Sequence, residues 1–94
     1  MQERVRITCR ITGRVQLVMF RDFSQRKARK LGLVGFARNE ADGGVTVVVE
    51  GPREVLETYI STYLEKGSVL SRVDKVDVTW APATNEFSHF SIRY

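Results

Sequence analysis

The chain has 94 residues, 43% of them hydrophobic and 28% charged, with a formal net charge of +4. That is room for one core and no second, and no apolar run approaches a membrane-spanning length. The single cysteine excludes an internal disulfide and a cysteine-rich zinc site.

These limits set the first expectations. One domain should occupy residues 1–94, monomeric because one core accounts for the periodic apolar positions. The start Met1-Gln2-Glu3-Arg4 lacks a signal-peptide core, so a cytoplasmic location is expected. Cys9 lies among alternating strand residues and reads as a small buried hydrophobe. His89 stands alone, so no metal or cofactor is expected. The positive charge suits nucleic acid, anionic membranes, a small anion or simple solubility, and does not choose among them.

From Arg4 to Thr12 the chain alternates strictly, with Val5, Ile7, Cys9 and Ile11 on one face and Arg4, Arg6, Thr8 and Arg10 on the other. Period two with β-branched residues predicts a half-buried strand. Phe20 to Leu31 predicts a helix on which Phe20, Phe23, Ala28 and Leu31 share a face. Gly32 ends it. Leu33–Asn39 and Val45–Glu50 read as strands of a hairpin, with turn chemistry in Glu40-Ala41-Asp42-Gly43-Gly44. Gly51-Pro52 breaks the strand and opens a second helix, whose stripe is Val55, Leu56, Tyr59, Ile60, Tyr63 and Leu64. Gly67 terminates it. Val76, Val78 and Trp80 alternate as a fourth strand. Ala81–His89 is a polar connection, and Phe90, Ile92 and Tyr94 mark a short last strand.

The order β-α-β-β-α-β plus a short C-terminal strand predicts an α+β ferredoxin-like sandwich. Two helices should cover one face of an antiparallel sheet and leave the other face wet. No internal repeat or flexible linker interrupts it. Trp80, Tyr59 and Tyr63 fit core positions.

The run Gly13-Arg14-Val15-Gln16-Leu17-Val18-Met19-Phe20-Arg21 carries the chemistry. It joins a strand to a helix, and such a junction presents free backbone N–H groups and the positive end of the helix. The amides of Val15, Gln16, Leu17, Val18, Met19 and Phe20 are therefore candidates to cradle phosphate oxygens. Arg21 arrives where its guanidinium fork closes over them. Gln16 is suited to brace the loop, Val18 and Phe20 to pack beneath it, and Arg14 to remain solvated. Asn39 by itself reads as a turn residue opening the hairpin.

The same run resembles the acylphosphatase signature Gly-x-Val-Gln-Gly-Val-x-Phe-Arg. The likeness continues through Gly35-Phe36-Ala37-Arg38-Asn39, Asp42-Gly43-Gly44-Val45 and Phe90-Ser91-Ile92-Arg93-Tyr94. It implies the ferredoxin-like fold and hydrolysis of acyl phosphates to carboxylate and inorganic phosphate. It also implies that Arg21 binds the phosphate and Asn39 positions the attacking water. Leu17 departs from the pattern, standing where the family carries glycine. At positive φ its side chain costs about 1–2 kcal/mol, and at any φ it either crowds the phosphate or points away.

A carboxylate leaving group, whose acid has a pKa of about 4, needs no proton donor. Catalysis then rests on holding the phosphoryl group and placing water in line, with no base and no metal required. Two rivals stand beside this reading. One is a phosphate-binding or regulatory module of the same fold silenced by Leu17. The other is an RNA-binding domain of the same topology, disfavoured because Arg4–Thr12 and Val45–Glu50 hold no stacking aromatic. The larger hydrogenase-maturation proteins that head with a related fold continue into cysteine-rich segments, which this sequence lacks.

Overall fold

The computed structural model describes residues 3–94; Met1 and Gln2, half of the start read as leaderless, lie outside them. The order is β1 Arg4–Arg14, α1 Phe20–Lys30, β2 Val34–Asn39, β3 Val45–Pro52, α2 Arg53–Thr58, β4 Arg72–Pro82 and β5 Phe90–Arg93. The second helix continues past Thr58 as a wider, π-helical stretch, Tyr59–Leu64, marked by a Glu65 N–H bonded to the carbonyl of Ile60. Among the described residues no helix is long and apolar enough to cross a bilayer.

The five strands lie in the order β4-β1-β3-β2-β5. Both helices pack on one face of this sheet, over Ile7, Cys9, Ile11, Val45, Val47, Val49 and Ala37. Strict alternation in β1 thus delivers what period two demands. Two expectations need correction. The sheet is mixed, because β5 pairs parallel to β2 while every other pairing is antiparallel. The reason is topological: β4 and β5 occupy opposite edges, so the connection between them crosses the sheet.

That crossing also narrows the wet outer face: Asp77, Thr79 and Ala81 of β4 stay exposed, while the β3 side is covered. Every residue of β3 from Val45 to Gly51 is buried. Glu50, on the outer face, is fully enclosed and accepts from the backbone amides of Thr84 (2.9 Å) and Asn85 (2.9 Å) and from Arg6 Nε (2.7 Å). Burial alone would raise the Glu50 carboxyl, but these donors reverse that and hold it at about 2. Phe87 in the same connection packs edge-on against Phe36, centroids 5.9 Å apart. A polar stretch in the sequence is therefore a strap in the fold.

Candidate active site

Pairing directions bring the site together. β1, β2 and β5 run the same way, so their C-terminal ends all reach one end of the sheet. There β1 hands over to residues 15–19, β2 ends at Asn39 and β5 ends beside Tyr94. The N-terminus of α1 begins at the same place. Gly13 makes the handover feasible. It sits at φ 127° where the register of β1 against β4 shifts, and a Cβ there would collide with the Arg72 carbonyl.

Residues 15–19 do not collapse on themselves. Among the described residues, the amides of Val15, Gln16, Leu17, Val18 and Met19 donate to no protein acceptor. The loop is held instead by side chains. Gln16 Nε2 donates to the carbonyls of Glu40 (2.7 Å) and Gly44 (2.9 Å), fastening the loop to the β2–β3 turn. Val15, Val18 and Phe20 are buried beneath it. Below Phe20, Ser24 Oγ donates to the Phe20 carbonyl and the Tyr59 hydroxyl donates to the Ser24 carbonyl, both at 2.8 Å. The second helix thereby fixes the first turn of α1.

Leu17 and Met19 both adopt left-handed backbone, φ 63° and 60°. Such residues reverse the local curl of the chain and turn neighbouring N–H groups toward one side. Leu17 therefore occupies the conformation that suits glycine. The residue is 100% exposed, so the left-handed backbone is present and the isobutyl group is not packed beneath the loop.

One cleft of about 360 Å³ gathers Val15, Leu17, Met19, Phe20, Arg21 and Asn39, with Asp22, Ile92 and Tyr94 completing its wall. Arg21 donates through one terminal nitrogen to the Arg93 carbonyl at 3.1 Å, and the Tyr94 ring lies 4.8 Å from its guanidinium carbon. Arg21 thus meets the end of the chain through the Tyr94 ring and the carbonyl of the residue before it. Asn39 presents an anomaly. Its Oδ1 is buried without any hydrogen-bond partner, a costly state for an amide oxygen.

Gln16 and Val18 serve the cleft from outside its wall. Ile92 and Asp22 were not foreseen as neighbours of the site, since only the parallel pairing of β5 brings Ile92 there. Cys9 is buried far from water, which pushes its thiol up to about 12; it is inert packing. Among the described residues no cluster of three or more His, Cys, Asp or Glu side chains is placed to hold a metal ion.

Known proteins align with this arrangement along most of its length. A protein named acylphosphatase from Salinibacter ruber is 46% identical over 88 residues, 94% of this chain and 92% of that protein. One of the same name from Thermus thermophilus is 48% identical over 75 residues, 80% and 84% of the two chains. The crystal structure of acylphosphatase from Bacillus subtilis superposes with a TM-score of 0.91 at 34% identity, covering 96% of this chain and 99% of that one. Full-length HypF, solved in a phosphate- and nucleotide-bound form, matches with a TM-score of 0.86 at 27% identity, this chain covering 12% of it. The family profile described as acylphosphatase matches residues 7–92, from the second turn of alternation in β1 to the penultimate residue of β5. With sequence and fold in agreement over that span, the chain belongs to the acylphosphatase family.

Proposed function

We propose that the chain hydrolyses the carboxyl–phosphate bond of acyl phosphates with the amides of residues 15–20 and Arg21 holding the phosphoryl group and Asn39 orienting the water. The observation that carries this reading is the meeting of three unsatisfied sets of groups in one cleft. They are the unbonded loop amides, the remaining donors of Arg21 and the orphaned Asn39 oxygen. Unpaired donors gathered around one cleft suit a dianion, and the lone acceptor suits a water.

The steps follow from these parts. Water attacks phosphorus, the bond from phosphorus to the acyl oxygen breaks, and the electron pair leaves on the carboxylate. The water proton passes to a phosphate oxygen, giving inorganic phosphate. A modest rotation of the Asn39 amide turns Oδ1 toward the attacking water and supplies the partner it lacks. Loop amides and Arg21 spread the charge on the equatorial oxygens. The exposed Leu17 side chain leaves the floor of the loop clear, which favours an active enzyme over a silenced binding module. The strap over the outer sheet face disfavours the RNA reading, which needs that face open.

The test is turnover of benzoyl phosphate by the monomeric cytoplasmic form expected here. Equal release of benzoate and phosphate, undiminished by EDTA, is the expected result. Phosphate bound without turnover would support the silenced module, and restoration of turnover by Leu17→Gly would establish it.

A further inference from the structure

The described residues leave five large hydrophobic side chains exposed: Leu17, Met19, Val69, Leu70 and Tyr94. They are not scattered. Leu17, Met19 and Tyr94 line the phosphate cleft. Val69 and Leu70 line an adjoining groove of about 390 Å³, and Met19 and Asp22 belong to both walls. Single exposed hydrophobes need no explanation, whereas a set gathered at one mouth does.

Leu17 sharpens the point. It accepts left-handed backbone and gains no packing in return, since the residue is 100% exposed. Neither local conformation nor burial accounts for a leucine there. Strain retained beside a site is an invitation to look for a role.

We propose that Leu17, Met19 and Tyr94 form an apolar collar, continued by Val69 and Leu70, that takes the acyl portion of the substrate and makes the enzyme prefer bulky apolar acyl groups over acetyl. This rests on the phosphoryl-binding reading above. The occupant follows from covalent continuity. A phosphoryl group seated on the loop amides directs its acyl oxygen toward the open mouth, and the acyl chain must leave past these side chains. Leu17, Met19, Tyr94, Val69 and Leu70 supply the apolar part of that surface, beside the charged Asp22, Arg26 and Lys27, so affinity grows with the methylenes those apolar side chains cover. A fully buried methylene contributes about fourfold in affinity. A rim open on one side covers only part of a six-carbon chain, so the total expected is roughly tenfold.

The experiment compares methylphosphonate with hexylphosphonate by calorimetry, and acetyl phosphate with hexanoyl phosphate by kcat/KM, on the native chain. It repeats both on Val69→Ser/Leu70→Ser and on Leu17→Asn, asparagine being tolerant of left-handed backbone. The expected result is hexylphosphonate binding roughly tenfold tighter than methylphosphonate, with the same order of preference in turnover. The double variant should keep its acetyl phosphate turnover and lose most of the preference for the longer chain. Leu17→Asn is read through the ratio alone, where any common loss cancels, and that ratio should fall about threefold or more. Equal affinity for both phosphonates in the native chain overturns the collar, as does a ratio unchanged in both variants, or failure to bind any phosphonate. Chain-length discrimination in binding with no hydrolysis of either acyl phosphate leaves the collar standing and overturns the hydrolase reading. Hydrolysis indifferent to chain length does the reverse.

Discussion

Arg21, at the start of α1, donates to the Arg93 carbonyl at the end of β5, so the guanidinium is tethered to the edge strand of the sheet. One acceptor and one aromatic face hold the side chain, while its other donors have no partner among the described residues. A fork held in this way suits a phosphoryl group better than a flexible ammonium does. Arg21→Ala should lower kcat/KM for benzoyl phosphate on the order of 10²–10³-fold and weaken inhibition by inorganic phosphate. Arg21→Lys should restore little of either. Asn39→Ala is expected to behave differently, lowering kcat about 10²-fold with phosphate inhibition close to native. Reversal of those two patterns would exchange the roles or sink them.

The Gln16 side chain makes two hydrogen bonds to the β2–β3 turn, at 2.7 and 2.9 Å. Each such bond contributes about 1 kcal/mol net, so Gln16→Ala should cost about 1–2 kcal/mol of stability in urea unfolding. The loop amides should lose alignment as well, which predicts a larger fall in kcat than stability alone explains. Native turnover in a folded Gln16→Ala protein would show that the loop keeps its shape without the brace.

Much of this was legible along the chain. Val5, Ile7, Cys9 and Ile11 announced their strand and its buried face because a half-buried strand must alternate. Gly32 announced a helix end and has φ 72°. The loop and Arg21 were legible because a strand-to-helix junction and its charge are local features. Tertiary features were not. Nothing near Glu50 in sequence hints at Thr84 and Asn85, 34 and 35 residues away. The strap therefore read as a polar connection. The parallel placement of β5, and with it Ile92 and Tyr94 beside the loop, depends on which sheet edge the last strand chooses. Local periodicity carries no information about that choice. Asn39 was ambiguous for a related reason: a turn-opening asparagine and a cleft asparagine look alike until the cleft exists.

Leu17→Gly should stabilise the fold. Left-handed backbone at a non-glycine residue costs about 1–2 kcal/mol, and glycine returns about 0.5–1 kcal/mol through its greater unfolded freedom. The exposed side chain loses no packing. A net gain of roughly 0.5–1 kcal/mol is expected as a higher urea midpoint with unchanged slope. Loss of stability would mean that the isobutyl group makes contacts its exposure does not suggest.

The strap offers a test by pH. Glu50 titrates at about 2 in the fold against an ordinary 4.5. The fold therefore favours the carboxylate, and its contribution is complete above about pH 4.5. Stability is lost as pH falls from 4.5 toward 2, where the buried group takes up its proton and its donors lose their acceptor. Glu86, bonded to Arg6, is also lowered, and by the same Arg6 side chain first, but it is exposed and should count for little. Glu50→Gln should therefore be less stable than native at neutral pH and show a flatter acid limb between pH 4.5 and 2. Glu86→Gln should leave that limb close to native. Urea midpoints measured across this window distinguish the two. A Glu50→Gln protein with the native acid limb would remove Glu50 as the origin of acid sensitivity and shift attention to Asp42, held low by Arg10 on the opposite end of the sheet.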